Sequence, residues 1–298
     1  MKYAYYPGCS LGSTGREYDA SLRAVCERLD VELVEPKRWI CCGSSAAHAV
    51  SHLLALALPL RNLALVRDRG FDEVIVPCAA CFSRFRTAQY ECARDPAVAE
   101  KARKAAGSHD GLNVKVTHPL ELFAREEYAK SIQREVKKEL SSLEVVCYYG
   151  CLLTRPAKVM QFDTCEYPMS MDNILRRVGV RTLDWSYKTD CCGASLAISQ
   201  TEVVLRLVRD ILENAVAVGA KGVAVACPLC HANLDMRQSQ LNERFGTTFE
   251  TPIFYFTELM GLAYGIEADE LGLGRHLVNP MPLIEKAVAA HEAPQEVR

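Results

Sequence analysis

The chain has no excess of charge of either sign. Its 35 Lys and Arg face 37 Asp and Glu, for a net charge of -2. A nucleic-acid partner or an anionic membrane surface is therefore not expected. Long apolar runs are missing too. The most apolar stretch, residues 53–66, is broken by Pro59, Arg61 and Asn62. It is too short to span a bilayer and reads as a buried helix kinked at Pro59, so no direct membrane insertion is expected. The first residues, MKYAYYPGCS, lack the charged and then apolar regions of a secretory leader. A cytoplasmic setting is expected, where thiols bind metal or do chemistry more often than they form disulfides. No ferredoxin-type run of four closely spaced cysteines and no flavin fingerprint is present.

What the chain does have is cysteine. Of its 14 cysteines, ten fall into one pattern written twice. The first copy is Cys9, Cys41-Cys42, Cys78 and Cys81; the second is Cys151, Cys191-Cys192, Cys227 and Cys230. The intervening gaps are 31, 35 and 2 residues, then 39, 34 and 2. Each doublet precedes a glycine, Gly43 or Gly193. Five thiols per copy are one more than a tetrahedral zinc or a simple four-iron cube uses. The surplus points to an unusual iron–sulfur site, present twice. Structural zinc in one copy, with one cysteine idle, is the alternative.

The repeat extends beyond the cysteines. Tyr6-Pro7-Gly8-Cys9 matches Tyr148-Tyr149-Gly150-Cys151, and residues 74–78 match 223–227. Residues 117–122 (THPLEL) echo 255–259 (YFTEL). With 298 residues and 49% apolar content, two domains are expected, 1–142 and 143–298. In the first, strands are expected at 2–6, 31–34, 73–76 and 115–117, with helices at 15–29 and from about 45. Such alternation predicts an α/β fold: two homologous repeats, each a small, mostly parallel sheet flanked by helices. Sites in such sheets form beyond the C-terminal strand ends, where Cys9, Cys78, Cys151 and Cys227 lie. The glycine after each doublet is expected to take a φ other residues avoid, or to let backbone approach a metal. Residues 124–142, rich in charge and free of Pro and Gly, read as a solvated helix joining the halves. The tail from 289 reads as poorly ordered.

The pattern resembles the duplicated Cys-Cys-Gly cysteine-rich domain, and along its whole length the chain is similar to the heterodisulfide reductase B-subunit family. That resemblance implies pseudo-two-fold symmetry and two non-cubane 4Fe-4S clusters. Cys9, Cys41, Cys42, Cys78 and Cys81 would hold one, and Cys151, Cys191, Cys192, Cys227 and Cys230 the other. It further implies that a small-molecule disulfide is reduced, or formed, between the clusters. The implied partners are a ferredoxin-type iron–sulfur component (C-like) and a flavin-containing component (A-like) of a heterodisulfide reductase-like complex. Relatives with this domain also serve as electron-transfer parts between a dehydrogenase and a quinone or other carrier, which is the competing reading.

Near the cysteines, His48 and His231 are candidates to protonate a departing thiolate, or simply to hydrogen-bond sulfide or backbone. Arg84 and Arg155 would bind an acidic substrate tail or balance cluster charge. The longer second gap contains residues 162–168 (FDTCEYP), an ordinary surface loop or a wall of the substrate entrance. Its Cys165 is the one leftover thiol to test for reactivity, and with Arg84 and Arg155 a candidate to contact substrate. Cys26 and Cys147 are expected to pack in the core, as are Tyr3, Tyr5, Tyr6, Tyr148 and Tyr149.

Overall fold

The computed structural model describes residues 1–44, 47–107 and 111–292. Two four-stranded sheets are built in succession. The first contains β1 (Lys2–Tyr5), β2 (Glu32–Val34), β3 (Glu73–Ile75) and β4 (Lys115–Thr117), in the order β2-β1-β3-β4. The second contains β5 (Glu144–Tyr148), β6 (Arg181–Leu183), β7 (Gly222–Val225) and β8 (Ile253–Tyr255), in the order β6-β5-β7-β8. Every pairing is parallel. The inner strands β5 and β7 are apolar runs buried on both faces, as helix-covered parallel strands must be. In each sheet the order reverses beside the first strand, between β1 and β3 or β5 and β7. Crevices open at such switch points, beyond the strand C-termini.

The helix Arg16–Arg28 buries Leu22, Val25 and Cys26 along one face. The helix expected from about residue 45 is divided. A turn over Ala47–Val50 ends at Ser51, which is extended and whose side chain accepts from the Leu54 N–H to cap a new helix, His52–Asp68. That helix runs through Pro59.

Two expectations need correction. The charged stretch 124–142 is not one solvated helix. Within it the helix Glu126–Arg134 buries Tyr128 and Ile132 and then ends. Beyond it, the backbone N–H groups of Lys137 and Lys138 both donate to the Ala263 carbonyl, and Leu140 and Leu143 are buried. Tertiary hydrogen bonds and apolar anchors outweigh local helix propensity there. At the C-terminus, the helix Met281–Glu292 carries order past residue 289, with Ile284 and Ala287 buried. Residues 293–298 lie outside the described residues.

Contacts between the halves are reciprocal. The helix Ala79–Arg94 meets the turn Cys151–Thr154, and its counterpart Pro228–Met236 meets Gly8–Leu11. Likewise Arg16–Arg28 meets Phe256–Ala263, while Ser170–Arg177 meets Pro119–Phe123. Swapped pairs of this kind are the signature of an isologous, two-fold arrangement.

Candidate metal centre

Each cysteine set is placed by the same local devices. Gly8 (φ 68°) and Gly150 (φ 69°) turn the chain out of β1 and β5 and deliver Cys9 and Cys151. A Cβ at either position would come 3.1 Å from Cys81 Sγ or 2.9 Å from Cys230 Sγ, so the glycines leave room beside a sulfur. Cys78 and Cys227 are N-cap residues of Ala79–Arg94 and Pro228–Met236. Cys81 and Cys230 then follow on the first turn of each helix, on the same face, where hydrogen bonds with Cys42 and Cys192 and burial push both thiols up. In each doublet the following glycine has positive φ, and its N–H donates to Cys41 Sγ (3.4 Å) or Cys191 Sγ (3.3 Å).

The doublets rest on tyrosines. Tyr6 donates to the Ile40 carbonyl (2.8 Å), and Tyr148 donates to the Asp190 carbonyl (2.6 Å), each one residue before its doublet. Asn62 brackets Ile40, accepting from its N–H at 2.8 Å and donating to its carbonyl at 2.9 Å. In the second copy Asn233 donates to the Cys192 carbonyl at 2.8 Å. The tyrosine rings are core, as expected from the sequence. Their hydroxyl roles were not foreseen, although Tyr recurs three residues before the first cysteine of both copies.

The thiols of each set neighbour one another and one tyrosine: Cys9, Cys41, Cys42 and Cys81 interact with Tyr6, and Cys151, Cys191, Cys192 and Cys230 with Tyr148. Cys9 neighbours Cys41, which neighbours Cys42. Cys42 Sγ lies 3.1 Å from Cys81 Sγ, and Cys81 neighbours Cys78. Cys78 then interacts across the junction with Cys227. Cys227 neighbours Cys230, whose Sγ is 3.7 Å from that of Cys192, and Cys151 neighbours Cys191. Among the described residues, no three His, Cys, Asp or Glu side chains gather on a single-ion site. Exposure is graded alike in both copies: Cys9, Cys41 and Cys191 are exposed and Cys151 partly so, while the other six are buried. Hydrogen bonding among the thiols splits the titrations. The bond with Cys81 moves the Cys42 thiol down to about 7, and the bond with Cys151 moves Cys191 down to about 6. Burial pushes Cys26 up to about 12.

The remaining candidates are dispersed. His48 lies on the turn after the first doublet. His231 is buried, with Nε2 3.1 Å from the Ile253 carbonyl and its ring stacked on Tyr255 at 4.3 Å. Arg84 is half-buried. Arg155 is committed to Glu166 at 2.5 Å and to Thr189 Oγ1 at 3.1 Å. Cys165 is half-exposed, with its Sγ 3.3 Å from the Thr154 carbonyl. The insert is anchored at both ends by buried Phe162 and Pro168. Phe162 packs edge-on against Phe82 and His118 of the first repeat.

Sequence reasoning also missed a buried ion pair, Lys188 Nζ to Asp172 Oδ1 at 2.8 Å, both side chains at 0% exposure. The Lys188 carbonyl accepts the N–H groups of Tyr149 and Gly150. The pair therefore stands behind the turn that delivers Cys151.

Twin parallel sheets, each presenting five cysteines at its switch point and joined through a two-fold contact, define a duplicated thiol-rich redox scaffold. The model of the CCG cysteine-rich domain matches residues 3–86 and again 145–235, and the chain belongs to that family. It is 30% identical over 284 residues to the 8-methylmenaquinol:fumarate reductase membrane anchor subunit of Wolinella succinogenes, covering 95% of this chain and 99% of that one. It is 26% identical over 293 residues to the B subunit of the ferredoxin/F420H2-dependent CoB-CoM heterodisulfide reductase of Methanosarcina acetivorans, covering 96% of each. In fold it is similar to a hypothetical protein from Helicobacter pylori, with a TM-score of 0.72 and 11% identity. That match covers 93% of this chain but only 52% of the H. pylori chain.

Proposed function

We propose that the chain is the iron–sulfur subunit of an oxidoreductase complex that reduces, or reversibly forms, a small-molecule disulfide. The observation that carries this reading is the pair of complete five-cysteine sets, meeting at Cys78 and Cys227 and opening to solvent at Cys9, Cys41, Cys151 and Cys191. The donor chemistry fits two non-cubane 4Fe-4S clusters. All ten donors are thiols, which iron–sulfur groups take, and Gly8 and Gly150 keep space beside the sulfurs. Five thiols per set are one more than a tetrahedral zinc takes, which supports a polynuclear group over zinc in either copy.

In this reading Cys9, Cys41, Cys42, Cys78 and Cys81 hold one cluster. Cys151, Cys191, Cys192, Cys227 and Cys230 hold the other. When bound, the pair would supply the two electrons that S–S cleavage needs. Around it, the chain's residues exclude water from the six inner sulfurs and leave the four outer ones accessible. Tyr6 and Tyr148 fix the doublets against the strand ends. His48 remains a candidate proton donor, whereas the ring of His231 is occupied by Ile253 and Tyr255. Arg84 remains a candidate for an acidic substrate tail, and Arg155 would first have to leave Glu166. Electrons would come from a ferredoxin-type iron–sulfur partner and, through it, a flavin-containing partner.

A second reading is an electron-transfer component linking a dehydrogenase or reductase to a quinone. It is favoured by the 30% identity to the W. succinogenes protein. No helix among the described residues is long and apolar enough to cross a membrane, so in that reading attachment runs through a partner. Titrating the half-reduced protein with biological thiols and disulfides under electron paramagnetic resonance separates the two. Disulfide chemistry predicts that at least one compound changes the signal. An unmoved signal across the panel selects electron transfer.

A further inference from the structure

His118 occupies a singular position between the repeats. It follows β4 and is the N-cap residue of Pro119–Phe123, with its backbone N–H donating to Glu121; Tyr255 holds the same place before Phe256–Ala263, with its N–H donating to Glu258. The second repeat therefore has a tyrosine where the first has this histidine. The His118 side chain is fully buried. The Leu120 N–H points at Nδ1 from 3.2 Å, and a backbone N–H can only donate. Nδ1 is therefore the acceptor and the ring's proton sits on Nε2. That single N–H faces two carbonyls, Pro77 at 2.9 Å and Ala226 at 3.1 Å. Pro77 immediately precedes Cys78, and Ala226 immediately precedes Cys227, the two cysteines that meet across the junction.

The ring has little freedom to move. The His118 backbone N–H is held by Glu121 Oε2 at 2.9 Å, and Glu121 is held in turn by Arg86 at 2.7 Å. Arg86 also donates to the Met160 carbonyl in the second repeat. Phe82 and Phe162 stand edge-on to the imidazole at 5.7 and 6.2 Å. One oriented donor in a dry site thus ties together the peptide groups that carry the innermost cysteine of each set. Tyr18 reaches only one of them, Ala226, at 3.5 Å.

We propose that His118 is a positioning residue that sets the distance between the two redox centres and so sets how strongly reduction of one opposes reduction of the other. The inference rests on the iron–sulfur reading above. Close centres of like charge in a low-dielectric interior oppose addition of the second electron. The separation between the first and second reductions therefore reports their spacing, and a merely structural role for His118 would leave it unmoved.

The test is a redox titration of the full chain, purified anaerobically, with iron and sulfide counted beforehand and the half-reduced form followed by electron paramagnetic resonance. His118→Phe keeps a ring between Phe82 and Phe162 but has no donor. It is expected to load iron as wild type does, while the comproportionation constant of the half-reduced form falls about tenfold, equivalent to about 59 mV for a one-electron couple. Tyr18→Phe, which removes the longer bond to Ala226, is expected to leave that constant unchanged. An unchanged constant in iron-loaded His118→Phe overturns the proposal. If that variant fails to fold, His118→Leu, which has no donor either, is read in the same way: a fall supports the link and an unchanged constant overturns it. Wild-type protein with no iron–sulfur centre would instead defeat the underlying reading before any variant is made.

Discussion

At the residue scale, the site depends on groups of two kinds. The cysteines were readable from the sequence because a thiol announces its chemistry and the pattern occurs twice. Tyr6, Tyr148 and Asn62 were not, because their partners are backbone carbonyls, which every position carries. The glycines stand between the two cases. Gly150 has φ 69° and ψ 176°, a region open essentially to glycine alone, and its missing Cβ leaves Cys230 Sγ its space. Gly150→Ala should destabilise the protein by about 1–3 kcal/mol and empty the second cysteine set of iron. Gly70 also has positive φ, but nothing lies within 4 Å of its Cβ position. Gly70→Ala should therefore keep full iron at a smaller cost in stability. Urea melts and iron content of both variants check this; full iron in Gly150→Ala would show that the glycine does not shape the site.

At the scale of elements, periodicity located the strands of the first repeat within a residue or so, because buried parallel strands are short apolar runs. The chain order helped as well, since β1, β3, β5 and β7 each end shortly before a cysteine. The pattern failed where tertiary contacts decide. Residues 124–142 look helical by composition, yet the chain leaves the helix at Arg134 to bond Ala263 and bury Leu140. The Lys188–Asp172 pair was equally hidden, since nothing local marks a lysine in a loop as the partner of an aspartate in the helix Ser170–Arg177. Lys188→Met should cost about 3–5 kcal/mol, because it strands a buried carboxylate. Tyr149 also donates to Asp172 (2.7 Å), so adding Asp172→Asn should recover part of the loss while keeping an acceptor there. Denaturant unfolding of the single and double variants measures the coupling, and strict additivity would show that the pair is not a unit.

At the scale of the whole molecule, the two-fold arrangement turns a repeated pattern into one site. The duplication was legible in the sequence, but the contact between Cys78 and Cys227, and His118 beneath it, was not: sequence spacing carries no information on how two repeats dock. The swapped helix contacts bring the inner cysteines together while leaving four outer sulfurs to solvent. In the proposed function, each half would hold one of the two clusters that together supply two electrons at one bond. The reading stands on one claim, that both five-cysteine sets bind iron–sulfur groups. Anaerobic purification followed by iron, acid-labile sulfide and zinc analysis tests it most directly. The account predicts about eight irons with matching sulfide per chain and no stoichiometric zinc. About half that iron, with one zinc per chain, would contradict it.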